Sequence, residues 1–190
     1  MTVAGVVLAA GAGRRFAASG GEGHKLLAEL DGVPLITRAL HAVLAAGLDE
    51  VLVVHGALDL SGVVPPTVQL RRNDRWAEGI ATSLQVAVDH ATAAGHEAIV
   101  VGLADQPGVT ADAWRRLAAA PPDPPIAVAV YDGRRANPVR LSAAVWPLLP
   151  AAGDDGARVL MRARPDLVRE VPCTGRPWDV DTVEDLERWS

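Results

Sequence analysis

VAGVVLAAGAGRRFAASGGEGHK, residues 3–25, joins a nearly unbroken apolar run to a glycine-rich, basic loop. Val3-Ala4-Gly5-Val6-Val7-Leu8-Ala9 is far too short to cross a bilayer and suits a strand buried on both faces, as in a parallel sheet. From Ala10 the character changes: Gly11 and Gly13 alternate with a small residue, and Arg14 and Arg15 follow. Glycines let backbone N–H groups approach a ligand closely, so such a loop can form an anion cradle. Arg14, Arg15 and Lys25 add the charge that a polyphosphate needs. The stretch reads either as an ordinary glycine turn with solvated arginines or as a cradle for a nucleoside triphosphate over the first strand. Two better-known loops are excluded. A Walker A loop needs Gly directly before Lys, and here His24 precedes Lys25. The dinucleotide fingerprint starts at Gly11 and Gly13 but meets Phe16 where its third glycine belongs, and the second strand (51–56) ends without an acidic residue.

The chain of 190 residues fits one domain, 1–190, with enough apolar content for a full core. A net charge of −5 argues against a nucleic-acid or membrane-surface partner, so the local basic groups Arg14-Arg15-Lys25 and Arg71-Arg72-Arg75 suit a small anionic substrate. The single Cys173 rules out an internal disulfide and fits a reducing cytoplasm, and no signal peptide is visible. It lies beside Pro172 with no activating base in view, a bland thiol.

Strands and helices alternate along the chain. Pro34 starts a helix, 35–46, that Gly47 ends, and a strand follows at 50–54. A short strand at 68–71 precedes a helix from 79 to 94, and a third buried strand, 98–104, ends at Asp105. Thr110 caps a helix over 111–120, and the proline-rich 121–125 breaks it before a strand at 126–131. Residues 138–141 read as a short strand at an edge or bend, and Ser142 as the cap of a helix to Leu149. A helix at 157–163, a strand at 167–171 and a helix at 183–189 complete the chain. The pattern predicts a three-layer α/β/α sandwich, a Rossmann-like fold around a mostly parallel sheet, with ligands at the carboxyl ends of the strands.

Asp105 closes an apolar strand as either a turn residue or a metal ligand, and Asp181, before Thr182, either caps the last helix or joins the site. The stretch 73–83, NDRWAEGIATS, opens the second long helix with an amide, hydroxyls and Gly79, which suits ordinary capping or an anion. In their order along the chain these motifs resemble the MobA-like nucleotidyltransferase family, and most closely its molybdenum cofactor cytidylyltransferase branch. The matching residues are 8–15, LAAGAGRR; 25–27, KLL; 32–36, GVPLI; Asn73 with 76–80, WAEGI; Ser83-Leu84; 104–107, ADQP; 137–139, NPV; 153–158, GDDGAR; and 181–186, DTVEDL. The spacer 16–24, FAASGGEGH, is longer and more glycine-rich than is usual in that family.

The resemblance implies that Leu8, Ala9, Ala10, Gly11, Ala12, Gly13 and Arg15 wrap the nucleotide, with Asn73 and Ser83 near its base or ribose. It assigns Lys25, Asp105 and Arg14 to catalysis, Asp105 and Asp181 to Mg²⁺, and Asn137, Asp155 and Arg158 to the acceptor. The implied substrates are a nucleoside triphosphate and a phosphorylated small molecule, molybdopterin, with a delivery contact to a molybdoenzyme or its maturation factor. The guanylyltransferase branch carries Gly where Ala10 stands, so CTP is expected over GTP. Guanylyl transfer, sugar-1-phosphate nucleotidyl transfer, a glycosyltransferase using Asp179-Val180-Asp181, and a non-catalytic nucleotide-binding regulator are the alternatives. The chemistry needs no general base, because a phosphate monoester with a second pKa of about 6 is already anionic at neutral pH. His41, His90 and His96 accordingly read as plain surface positions.

Overall fold

The computed structural model describes residues 1–189; Ser190, the last residue of the expected domain, lies outside them. The opening apolar run forms β1 (Val3–Ala9), buried at every position. The glycine loop leads into a short helix, α1 (Arg14–Ala18), then a 3-10 turn over Lys25–Leu27 and a hairpin of β2 (Glu29–Leu30) and β3 (Val33–Pro34). Next come α2 (Leu35–Ala46), β4 (Glu50–His55), β5 (Gln69–Arg72), α3 (Ile80–Ala93) and β6 (Ala98–Leu103). The second half runs β7 (Gly108–Val109), α4 (Ala111–Ala119), β8 (Ile126–Tyr131), β9 (Arg134–Ser142) and α5 (Arg158–Ala163). It ends with β10 (Val168–Pro172), β11 (Gly175–Arg176) and α6 (Val183–Trp189).

Seven strands form the central sheet in the order β10-β8-β9-β6-β1-β4-β5. β1 lies between β6 and β4, parallel to both, which puts the glycine loop and Asp105 at the same end of the sheet. Alternation along β1 sends Val3 and Val7 to one face, where α2 and α4 pack through Ile36, Val43, Trp114 and Leu117. It sends Ala4, Val6 and Leu8 to the other, under Leu84, Ala87 and Ala91 of α3 and Leu160 of α5. The result is the expected three-layer, mostly parallel α/β fold. Among the described residues no helix is long and apolar enough to cross a membrane.

β9 departs from expectation. It is nine residues long and lies inside the sheet, antiparallel to both β8 and β6, instead of being a short piece at an edge or bend. The Asp132-Gly133 turn, with φ of 48° and 78°, folds it back onto β8. Proline has no N–H to give a ladder, and Pro138 is accommodated because the register slips between Val128 and Ala129, leaving Asn137 and Pro138 in a bulge. The segment after β9 is also corrected. Ala143–Leu148 forms a 3-10 helix containing Pro147, and Ser142 makes no side-chain cap.

Candidate active site

The loop after β1 turns through Gly13, whose φ of 63° and ψ of 29° lie in the left-handed region. A side chain here would also collide: an added Cβ would sit 3.0 Å from Lys25 Cβ and 3.4 Å from Lys25 N. Glycine thus lets the loop close directly on the Lys25 backbone.

Lys25 reaches across the strand ends. Its Nζ donates to Asp105 Oδ2 at 2.7 Å and to Asp181 Oδ1 at 2.9 Å, and Arg15 donates to the other Asp181 oxygen at 2.8 Å. The Lys25 side chain is only 11% exposed and Asp105 20%. Burial by itself would lower the Lys25 pKa, but attraction to Asp105 and the hydrogen bonds to Asp105 and Asp181 outweigh it and raise the value. Burial raises the Asp181 carboxyl, yet hydrogen bonding and attraction to Lys25 and Arg15 prevail and hold it below the usual range. The second oxygen of Asp105, Oδ1, is buried and has no hydrogen-bond partner among the described residues.

The two readings of Asp181 separate here. Thr182, not Asp181, caps α6: Thr182 Oγ1 accepts from Asp185 N at 3.2 Å, and Asp185 Oδ2 accepts from Thr182 N at 3.0 Å and Asp181 N at 3.1 Å. This is a capping box with Asp in place of the usual Glu. It uses the Asp181 backbone and leaves its carboxylate to Lys25 and Arg15.

A third carboxylate, Asp179, adjoins the cluster. Burial, then the charge of Asp105, pushes its pKa up. Gln106 (4% exposed) donates to Asp179 at 2.8 Å and to the Pro177 carbonyl at 3.1 Å, while its own carbonyl accepts from Asn137 at 3.2 Å. Asp179 also lines a cavity of about 390 Å³ with Leu8, Leu103, Asn137, Asp155 and Arg158. The relay from Asn137 through Gln106 to Asp179 therefore connects the cavity to the charged cluster.

The expected site residues fall into groups. Leu8 and the loop through Arg15, with Lys25, Asp105 and Asp181, converge at the strand ends, and Asn137, Asp155 and Arg158 share the neighbouring cavity. Arg14 is exposed on the first turn of α1. Asn73 and Ser83 are each 2% exposed and bonded to one another: Asn73 Nδ2 donates to Ser83 Oγ at 2.9 Å and to Thr82 Oγ1 at 2.8 Å. They clamp the end of β5 to α3. Asp179 and Gln106, which the sequence offers only in an alternative metal motif and in the ADQP stretch, and His24, which it offers in no role, join the site here; the buried Val180 separates Asp179 from Asp181.

Two surface expectations also need correcting. The side chains of His90 and His96 are only 10% and 9% exposed, because both bond Glu50 Oε2, at 2.8 and 3.0 Å, at the opposite end of the sheet. His41 is exposed as expected. Burial pushes the Cys173 thiol up, away from reactivity.

A glycine loop, a lysine and paired carboxylates at the carboxyl ends of parallel strands define an α/β protein built to handle phosphate groups. The model of the MobA-like NTP transferase domain matches residues 5–168. The chain is 33% identical to nicotine blue oxidoreductase of Paenarthrobacter nicotinovorans, covering 98% of this chain and 95% of that one. It is 31% identical to the purine catabolism protein PucB of Bacillus subtilis, over 96% and 93% of the two chains. Molybdenum cofactor guanylyltransferase of Rhodobacter capsulatus is 34% identical over 64% of this chain and 60% of its own. Among solved structures, a nucleotidyl transferase of Methanothermobacter superposes with a TM-score of 0.80 at 28% identity, covering 98% and 95% of the chains. The Rv0371c protein of Mycobacterium tuberculosis H37Rv in complex with manganese gives 0.81 at 27%, covering 100% and 98%. The chain belongs to the MobA-like NTP transferase family, a family of nucleotidyltransferases.

Proposed function

We propose that this chain, as a single domain over 1–190, is a cytoplasmic Mg²⁺-dependent cytidylyltransferase that moves CMP from CTP to the phosphate of molybdopterin. The observation that carries this reading is Lys25 bridging Asp105 and Asp181 beside the glycine loop. An acceptor phosphate oxygen attacks the α-phosphorus, the bond to the β-phosphate oxygen breaks, and pyrophosphate leaves with its electron pair. The attacking oxygen is already anionic, so the protein's task is alignment and charge neutralisation.

The residues fit a hard divalent ion. Asp105 Oδ1 is a buried carboxylate oxygen without a partner among the described residues, and Asp181 offers a second carboxylate. No group of three or more His, Cys, Asp or Glu among the described residues could hold a metal alone. That suits Mg²⁺, which takes one or two carboxylates together with substrate phosphates. Bound there, the ion would neutralise phosphate charge. Lys25, with Arg14 and Arg15, meets the phosphates, while the backbone from Leu8 to Gly13 supports the nucleotide. Asn73 and Ser83 support the base side through the α3 junction. Asn137, Asp155 and Arg158 take the acceptor in the cavity lined by Leu8 and Asp179. The product passes to a molybdoenzyme or its maturation factor.

The test is pyrophosphate release and product mass with CTP or GTP, Mg²⁺ or Mn²⁺, and molybdopterin. A CMP adduct is expected. A GMP adduct would change the base, and release with a hexose 1-phosphate alone would change the acceptor. Binding of CTP or GTP with only background pyrophosphate for every acceptor would sink nucleotidyl transfer and favour a non-catalytic nucleotide-binding regulator.

A further inference from the structure

We infer that His24 is a positioning residue that ties the glycine loop to the Lys25 turn, so that cradle and lysine are set in register before any nucleotide arrives. The inference concerns the same site and rests on the nucleotide reading for its consequence, though not for its geometry. His24 precedes the 3-10 turn Lys25–Leu27, and its Nδ1 accepts the Leu26 N–H at 3.2 Å. An imidazole whose Nδ1 accepts, in its neutral form, carries its proton on Nε2. Nε2 lies 3.0 Å from the Gly11 carbonyl, so it donates there. One ring thus fixes the turn that presents Lys25 and the peptide at the centre of the loop.

Pinning the Gly11 carbonyl has a second effect. In a planar trans peptide the following N–H points opposite the carbonyl, so the Ala12 N–H is held facing away from His24. Gly13 keeps the same junction tight, because a Cβ added there would sit 3.0 Å from Lys25 Cβ and 3.9 Å from the His24 ring. Burial, the largest influence on His24, combines with the charge of Lys25 to lower its pKa against the raising effect of the Gly11 carbonyl. The neutral, bridging form therefore prevails at neutral pH. A tie is needed here because the chain from Phe16 to His24 is rich in glycine, with Gly20 and Gly23 at φ of 94° and 67°. Phe16 is buried, and Ser19 anchors the early part by accepting from Val183 N at 3.0 Å. His24 secures the end that carries Lys25.

Three variants separate the two bonds. His24→Asn keeps a short acceptor for Leu26 N–H but cannot reach Gly11; His24→Gln keeps an N–H long enough for Gly11; His24→Ala keeps neither. Amide hydrogen exchange over residues 9–15 of the nucleotide-free protein reads the tie without a ligand. Exchange should quicken about threefold to tenfold in the Ala and Asn variants, the worth of one hydrogen bond, and return most of the way in Gln. Calorimetric titration with Mg·CTP should give the same order, the Ala and Asn variants binding about threefold to tenfold more weakly. Turnover should then suffer through KM more than kcat. Equal loop exchange in wild type and His24→Ala would overturn the assignment, as would His24→Gln behaving like His24→Ala. If exchange responds as expected but wild type binds neither CTP nor GTP, the tie stands and the nucleotide reading fails.

Discussion

Gly11 and Gly13 stand two residues apart in one loop, and the structure gives them opposite reasons for being glycine. At Gly11 the backbone has no positive φ, and a built Cβ finds no heavy atom of the described residues within 4 Å. Nothing in the folded chain requires glycine there. Gly11→Ala should stabilise the protein by about 0.4–1 kcal/mol, because alanine leaves the unfolded chain fewer conformations to lose. For a chain of this size that raises Tm by about 1–4 °C. Gly13→Ala should do the reverse. A φ of 63° costs an alanine about 1–2 kcal/mol, and its Cβ would press on Lys25 Cβ at 3.0 Å, so Tm should fall by about 2–8 °C. Binding should not follow stability. A methyl at Gly11 projects into the open side where the phosphates would approach, so Gly11→Ala should weaken Mg·CTP at least about tenfold, or 1.4 kcal/mol. Scanning calorimetry and Mg·CTP titration on both variants provide the measurements. A Gly11→Ala protein that is more stable and still binds Mg·CTP like wild type would refute the placement of the cradle over Gly11. A Gly13→Ala protein of unchanged Tm would refute the strain argument.

Three further outcomes are expected. Asp105→Asn removes a charged partner of Lys25 but leaves Asp181 in place and relieves Asp179 of a like charge, so stability should fall by only about 1–2 kcal/mol. Turnover should drop about a thousandfold, or 4 kcal/mol, in the pyrophosphate assay, and near-normal turnover would remove Asp105 from the metal site. Burial raises the Glu50 carboxyl, but hydrogen bonds from His90 and His96 dominate and lower it, so its contribution to stability is full above the ordinary value of 4.5 and is lost as pH falls through the lower folded value. Denaturant melts from pH 5 to 3 should lose stability less steeply in Glu50→Gln than in wild type; parallel curves would contradict the Glu50 linkage. With equal CTP and GTP in competition, CMP product should exceed GMP product about tenfold or more, one methyl's worth of shape, and Ala10→Gly should narrow the gap, as read by product mass.

Where local chemistry decides, the sequence and the structure agree closely. Pro34 and Gly47 bracket α2 at 35–46, and β8 and α6 occupy the expected 126–131 and 183–189. Long-range pairing hides the rest. β9 places Arg140 in the middle of a sheet, fully buried, because its guanidinium donates to the carbonyls of Ala120 and Pro121 at the end of α4. An arginine at a core position breaks the apolar pattern from which a strand is read. His90 and His96 look solvated until β4 brings Glu50 beneath them. The candidate site divides in the same way. Its glycine loop is legible from spacing, but the contact between Lys25 and Asp105 spans 80 residues and exists only because β1 and β6 are neighbours. Gln106 is visible as part of a motif, yet its orienting role appears only when Asn137 of β9 and Asp179 of the loop before α6 meet it from distant parts of the chain.

The charge arrangement bears on the order of events under the proposed reaction. Asp105, Asp179 and Asp181 outnumber Lys25 and Arg15 in the cluster, and the crowding is felt, because burial first and then the charges of Asp105 and Asp181 act to raise the Asp179 pKa. A bare triphosphate would bring more negative charge to a site that already has an excess of it. The same triphosphate with a divalent ion brings its own compensation, and the partnerless Oδ1 of Asp105 is an oxygen the ion can take without first breaking a bond. Lys25 can then give up Asp181 for a phosphate oxygen while Asp105 still holds it, so its partly buried ammonium is never left unpaired, a state that would cost about 3–5 kcal/mol. The double bridge from Lys25 is therefore compatible with a site that is stable when empty and still open to the metal–nucleotide complex.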